Sequence, residues 1–164
     1  MEKLLVPMPQ YVPLQRAIEK KVVKALRTAL SANLISIVLF GSRARGDVRE
    51  ESDWDFFVIA EELSKKAFER HLFLKQLAPS DCRGEVSFVA KTPEEFEAYL
   101  SSLYLDIALD GKILYDPKGY AFQRLAMLRQ LIKRKGLVRE KSGKEMCWQW
   151  LRGPTQPWAL EWEA

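Results

Sequence analysis

The chain has 164 residues, 48% of them hydrophobic and 29% charged, which suits one domain with a real core, or one domain with an appendage. No run is long and apolar enough to span a bilayer, and the first ten residues lack the apolar stretch of a signal peptide. Cys82 and Cys147 are too few for a disulfide framework or a structural zinc site, so the composition predicts a soluble protein of a reducing, cytoplasmic compartment with no membrane partner.

Residues 13–33 read as an amphipathic helix, with Leu14, Ile18, Val22, Leu26 and Leu30 repeating every fourth position and Pro13 at the helix start. Ile35 to Phe40 is a short β-branched, apolar run and predicts a buried strand ended by Gly41. After a polar stretch, Asp53 to Ala60 predicts a second strand, apolar on both faces beyond Asp55 and therefore central in its sheet. A helix follows over 64–77 with Ser64 as its N-cap, then a third strand over 84–90. Thr92-Pro93-Glu94-Glu95 has the form of a capping box with proline at the first helical position, and predicts a helix running to Leu109 and stopped by Gly111. Lys112 to Tyr115 suits a short strand and 119–134 a last amphipathic helix around Leu125, Leu128 and Ile132. The tail holds four of the five tryptophans, Trp148, Trp150, Trp158 and Trp162, and Ser142-Gly143 is placed to turn a hairpin between 137–141 and 145–151. The expected architecture is α/β: a small mixed sheet with helices packed against it, a core over 1–117, and an extension over 118–164.

The residues that carry chemistry are Gly41-Ser42-Arg43-Ala44-Arg45-Gly46, followed by Ser52-Asp53-Trp54-Asp55. A glycine closing a buried strand lets the backbone turn sharply and approach a ligand. A serine at a helix start, beside free N–H groups, favours phosphate, and two arginines follow. On the next strand Asp53 and Asp55 stand two residues apart and so share a face. Two adjacent carboxylates repel and are costly to bury unpaired; a divalent cation resolves that cost, and Mg²⁺ takes a few carboxylates together with phosphate oxygens and water. Two ions about 3.5–4 Å apart would activate an attacking oxygen and stabilise a leaving one. Glu85, at the head of the third strand, is the best-placed third carboxylate, and Asp81 in the preceding loop is its rival.

This stretch, GSRARGDVREESDWDFFV, resembles the signature of the nucleotidyltransferase fold shared with DNA polymerase beta, and its A-R-G after G-S is similar to the minimal (MNT) members; DGKILYD at 110–116 also looks like theirs. The resemblance implies a nucleotidyltransferase in which Gly41 and Ser42 bind the triphosphate of an NTP, ATP foremost. Arg43 and Arg45 would sit near the phosphates, Asp53 and Asp55 would bind two Mg²⁺, and Glu85 would act as third ligand and base where many members carry Asp. It further implies a toxin–antitoxin pairing with a HEPN-domain RNase, neutralised by transfer of AMP to a tyrosine. The rivals are a non-catalytic module that masks its partner, and a small-molecule transferase of the aminoglycoside type whose acceptor site comes from the tail or a second subunit, since a homo-oligomer is compatible with the chain.

The remaining features have plainer readings. His71, the one histidine, fits a packed helix residue better than a catalytic base. The net charge of +4 gathers in residues 124–145, which carry eight Arg and Lys against Glu140 and Glu145. That segment suits a solvated helix face more than a nucleic-acid surface, and Lys133-Arg134-Lys135 matches a helix C-terminus. The Trp-rich tail fits a partner surface and a fold-back onto the core equally well.

Overall fold

The computed structural model describes residues 11–49, 51–143, 145–151 and 160–162. Trp158 lies outside them. The order is α1 (Tyr11–Leu30), β1 (Leu34–Phe40), α2 (Gly41–Arg45), β2 (Trp54–Ala60), α3 (Ala67–Leu77), β3 (Val86–Lys91), α4 (Pro93–Ala98), α5 (Ser102–Asp110), β4 (Lys112–Tyr115), α6 (Tyr120–Lys135), β5 (Leu137–Ser142) and β6 (Glu145–Trp150). The first four strands form one mixed sheet in the order β3-β2-β1-β4, and β5 pairs with β6 alone. β1 runs antiparallel to both neighbours, while β2 and β3 are parallel, a pairing that needs a crossover. α3 supplies it. β2 is central, as its apolar run predicts.

Alternation along the strands divides the core in two. Trp54, Phe56 and Val58 of β2 join Ile37 and Leu39 of β1 beneath Ile18, Val22 and Leu26 of α1 and Leu74 of α3. On the other face, Phe57, Ile59 and Val38 pack under Phe96, Tyr104, Ile107, Leu125 and Leu128 from α4, α5 and α6. Asp55 has the parity of Phe57, so it belongs to this second face.

Several boundaries differ from the sequence reading. The first helix ends at Leu30 and a 3-10 turn, Ser31–Asn33, leads into β1. α3 begins at Ala67, and its N-cap is Lys66 rather than Ser64; the Ser64 hydroxyl accepts from the Lys66 N–H at 3.3 Å and donates to Glu69 at 2.6 Å. β3 begins at Val86 because Arg83–Glu85 coil into a 3-10 turn. The helix expected to reach Leu109 in one piece breaks at Tyr99, which is extended (φ −155°), and resumes at Ser102. The reason is tertiary. The break lets Phe96 and Tyr104 meet edge to face at 4.7 Å, and the Phe96 carbonyl, at an α-helix end without an intrahelical donor, accepts from the Trp162 indole at 2.9 Å. Trp148 and Trp150 also pack against this half of the core, so the described part of the tail folds back. The hairpin forms as expected, with Gly143 (φ +61°) at its turn.

The capping box at Thr92 is present, and Glu95 does more than cap. Arg70 of α3, 5% exposed, donates to both Glu95 oxygens at 2.5 and 2.6 Å and to the Ala90 carbonyl at 3.2 Å. The Arg70 guanidinium, helped by the Thr92 N–H, holds the Glu95 carboxyl down to about 2, against an ordinary 4.5. A depressed folded-state value adds stability above the unfolded value and loses it as pH falls toward the folded one. Stability should therefore drop between roughly pH 4.5 and pH 2. Chemical denaturation across that range should show a shallower acid limb for Glu95→Gln; an unchanged limb would remove Glu95 from the account.

Candidate active site

The site is built at one end of the sheet, where β1 finishes and β2 begins. Phe40, the last residue of β1, pairs with Asp55. The chain then turns at Gly41 with φ +72°, coils once through α2, and leaves at Gly46 with φ +86°. Gly46 N–H donates to the Ser42 carbonyl at 2.9 Å, which closes the turn. A Cβ on Gly41 would stand 2.5 Å from Asp55 Oδ2, so the Gly41–Ser42 backbone lies against the Asp55 carboxylate and a larger residue would have to displace it.

Asp53 is exposed, one residue ahead of β2, and Asp55 is half-buried within it. Burial first, and then the charge of Asp53, push the Asp55 carboxyl up to about 6, with Arg45 opposing both. The pair is thus strained electrostatically without a counter-charge, the condition that a cation relieves. As a donor set it fits Mg²⁺, which needs only one or two carboxylates when phosphates and water complete its shell.

The two arginines of the turn separate. Arg43 donates to the Ser52 carbonyl through Nε (3.2 Å) and Nη2 (2.8 Å) and lies 4.6 Å over the Trp54 ring. It braces the loop that carries Asp53. Arg45 donates to Asp47 at 3.2 Å and lies 3.8 Å from Asp110; its charge is the one felt at Asp55.

Glu85 is exposed in the turn ahead of β3. The parallel register sets Ser87 beside Asp55 and Val86 beside Trp54, so Glu85 falls level with Asp53, at the rim. Among the described residues, no three of His, Cys, Asp and Glu come together closely enough to hold a metal. Asp81 is drawn away by an ion pair with Lys21 of α1. His71 Nδ1 lies 3.2 Å from the Phe88 carbonyl, a link between α3 and β3. Both cysteines are free, and burial pushes the Cys82 thiol up.

Much of the late basic segment is used internally. Arg124 pairs with Glu97 at 2.6 Å, and Arg129 donates to the Ala108 carbonyl at 3.1 Å. Arg139 takes Asp110 at 2.5 and 2.8 Å and Asp106 at 3.2 Å. Sequence reasoning missed Asp110 and Arg139. Asp110 opens the DGKILYD phrase, but its partners stand 29 and 65 residues away in the chain, and no local spacing announces them.

The glycine-bounded turn thus lies against Asp55, beside Asp53, where β1 ends and β2 begins. The sequence profile of the family described as "Polymerase beta, Nucleotidyltransferase" matches residues 20–118. A protein of Methanocaldococcus jannaschii, provisionally named a protein adenylyltransferase, is 33% identical over 106 residues, 62% of this chain and 72% of its own. The protein adenylyltransferase MntA of Aphanizomenon flos-aquae is 31% identical over 91 residues, 54% of this chain and 61% of its own. Among solved structures, a toxin–antitoxin crystal structure with AMP-PNP has a chain that superposes with TM-score 0.50 at 25% identity, over 71% of this chain and 91% of that one. The chain belongs to the polymerase beta nucleotidyltransferase family and is an enzyme that transfers nucleotides.

Proposed function

We propose that this enzyme transfers AMP from ATP to a hydroxyl on a partner protein, and that the partner is a HEPN-type toxin which the transfer neutralises. The observation that carries the reading is the half-buried Asp55, beside Asp53, directly under the Gly41–Ser42 turn. The names of the two relatives, both protein adenylyltransferases, support a protein acceptor, and the toxin–antitoxin structure with AMP-PNP supports both the nucleotide and the kind of partner.

In this reading the turn from Gly41 to Gly46 cradles the triphosphate, with Ser42 at its head and Arg45 beside it, while Arg43 fixes the loop that presents Asp53. Asp53 and Asp55 would hold Mg²⁺, two ions in the full site, which supplies charge neutralisation on the phosphates and a more acidic acceptor hydroxyl. The acceptor oxygen forms a bond to the α-phosphorus, the α–β bridging bond breaks, and pyrophosphate leaves. Glu85, at the rim outside the acid pair, takes the acceptor's proton in this reading.

A second reading is favoured by one observation: Ser87, not an acid, stands beside Asp55. If Glu85 does not reach the site, the protein binds nucleotide and masks its partner without transfer. Calorimetry with ATP and other NTPs, with and without Mg²⁺, tests the common ground. Mg²⁺-dependent binding with ATP preferred is expected. Absence of binding by every NTP would sink the nucleotide site in the isolated chain. Binding without AMP transfer to a co-purified partner would favour the masking reading.

A further inference from the structure

Both carboxylates that hold Arg45 are shared with the β5–β6 hairpin, which lies beyond the part of the chain matched by the family profile. Asp47, bound by Arg45 Nε at 3.2 Å, also lies 3.9 Å from Lys141 Nζ of β5. Asp110, 3.8 Å from Arg45 Nη1, is gripped by both Nη atoms of Arg139 at 2.5 and 2.8 Å. Arg139 is itself fixed. It reaches Asp106 at 3.2 Å, Asp106 accepts from the Trp148 indole at 3.0 Å, and the guanidinium lies 5.9 Å from the Trp148 ring centre. The side chains of Arg139 and Asp110 are 14% and 12% exposed, so their ion pair is poorly screened. The contact left to Arg45 is too long for a hydrogen bond.

We propose that the hairpin is a working part of the active site and that Arg139 is a positioning residue: by occupying Asp110, it keeps Arg45 from being locked into a paired fork and leaves its guanidinium for the triphosphate. The competition is direct, because a carboxylate engaged by one guanidinium fork has little left for a second. Without Arg139, the largely buried Asp110 has Arg45 as the one cation left within 4 Å among the described residues, and Arg45 would turn away from the nucleotide to satisfy it. Lys141 adds a weaker, exposed version of the same competition at Asp47.

This inference rests on the reading that Arg45 faces the phosphates, and the test separates the two. ATP binding in Mg²⁺ is measured by calorimetry, with thermal melts alongside, for Arg45→Gln, Arg139→Met, Arg139→Lys and each Arg139 variant combined with Asp110→Asn. Arg139→Met should weaken ATP binding about tenfold, the scale of one lost charge-assisted contact, and Arg139→Lys about threefold, since lysine keeps the charge but not the fork. Adding Asp110→Asn should bring both back to within about twofold of wild type, because the competitor for Arg45 is gone. Because Asp110→Asn also relieves a buried carboxylate left unpaired, affinities are compared where the melts show every variant folded, and Arg139→Met on the Arg45→Gln background should then cost no further affinity, as a purely structural role would not predict. Should Arg139→Met fail to fold, the lysine pair decides alone. ATP affinity unchanged in the lysine variant, or unrecovered by Asp110→Asn, overturns the hairpin's role. Wild-type affinity in Arg45→Gln overturns instead the assignment of Arg45 to the phosphates.

Discussion

Replacing Asp53 and Asp55 together by Asn lowers nucleotide transfer by about a thousandfold or more, the several kcal/mol that a metal-held phosphate contributes, and leaves the protein folded. The fold is expected to survive because neither carboxylate supports it. Asp53 is exposed, and Asp55 is held near 6 by burial and by its like-charged neighbour. A raised folded-state value has a definite sign: above the unfolded value the ionised group subtracts from stability, and that penalty is complete once pH passes the folded value. At pH 7 without metal, the double variant should therefore melt higher than wild type. With Mg²⁺ and ATP the order should reverse, because only wild type gains from ligand binding. Calorimetric binding, transfer of labelled AMP to a partner and paired melting curves check all three parts. Transfer at the wild-type rate in this variant would end the catalytic reading, and a metal-free melt below wild type would show that the acids support the fold after all.

Gly41→Ala is expected to have the second largest effect, and Gly46→Ala is its control. Both glycines have φ in the left-handed region, +72° and +86°, so either alanine carries a backbone cost of about 1–2 kcal/mol. They differ in what the new methyl meets. At Gly46 nothing lies within 4 Å, whereas at Gly41 the methyl would stand 2.5 Å from Asp55 Oδ2. The alanine at 41 must displace either the acid or the turn, and each is part of the proposed site. Gly46→Ala should melt lower yet bind ATP within a few-fold of wild type. Gly41→Ala should melt lower still and lose ATP binding by well over tenfold. Similar ATP affinities for the two variants would show that the close approach of Gly41 to Asp55 has no part in binding.

The portion of the site that the sequence displays is the portion held on one short stretch of backbone. Gly41 ends a strand, and Asp53 and Asp55 share a face of the next; both follow from local rules of turn and pleat. What lies across the fold was not legible. The division of labour between Arg43 and Arg45 depends on the Ser52 carbonyl and on Asp110, and Asp110 becomes relevant only because Arg139 arrives from a later hairpin. Glu85 shows how little displacement matters: a 3-10 turn ending at that residue separates a strand-borne ligand from an exposed rim acid. The same holds for the fold. The apolar periods of α1, β1, β2 and α6 predict those elements directly, and the hairpin follows from its turn. The break between α4 and α5 has no local breaker beyond Ser101 and Ser102. The indole that satisfies the Phe96 carbonyl freed by that break belongs to Trp162, 66 residues away.

That indole contact bears on how the chain is made. Phe96 is bracketed by Phe57, Tyr104 and Trp162 at 5.3, 4.7 and 5.1 Å, so its aromatic box joins a β-strand to a side chain more than a hundred positions further along the chain. β1, at the centre of the sheet, likewise waits for β4, whose first residue follows its last by more than seventy positions. Such long-range closures slow folding, since loop entropy is lost before the contacts form. A nascent chain halted before residue 162 would hold the G-S turn and both aspartates but leave one wall of that box open.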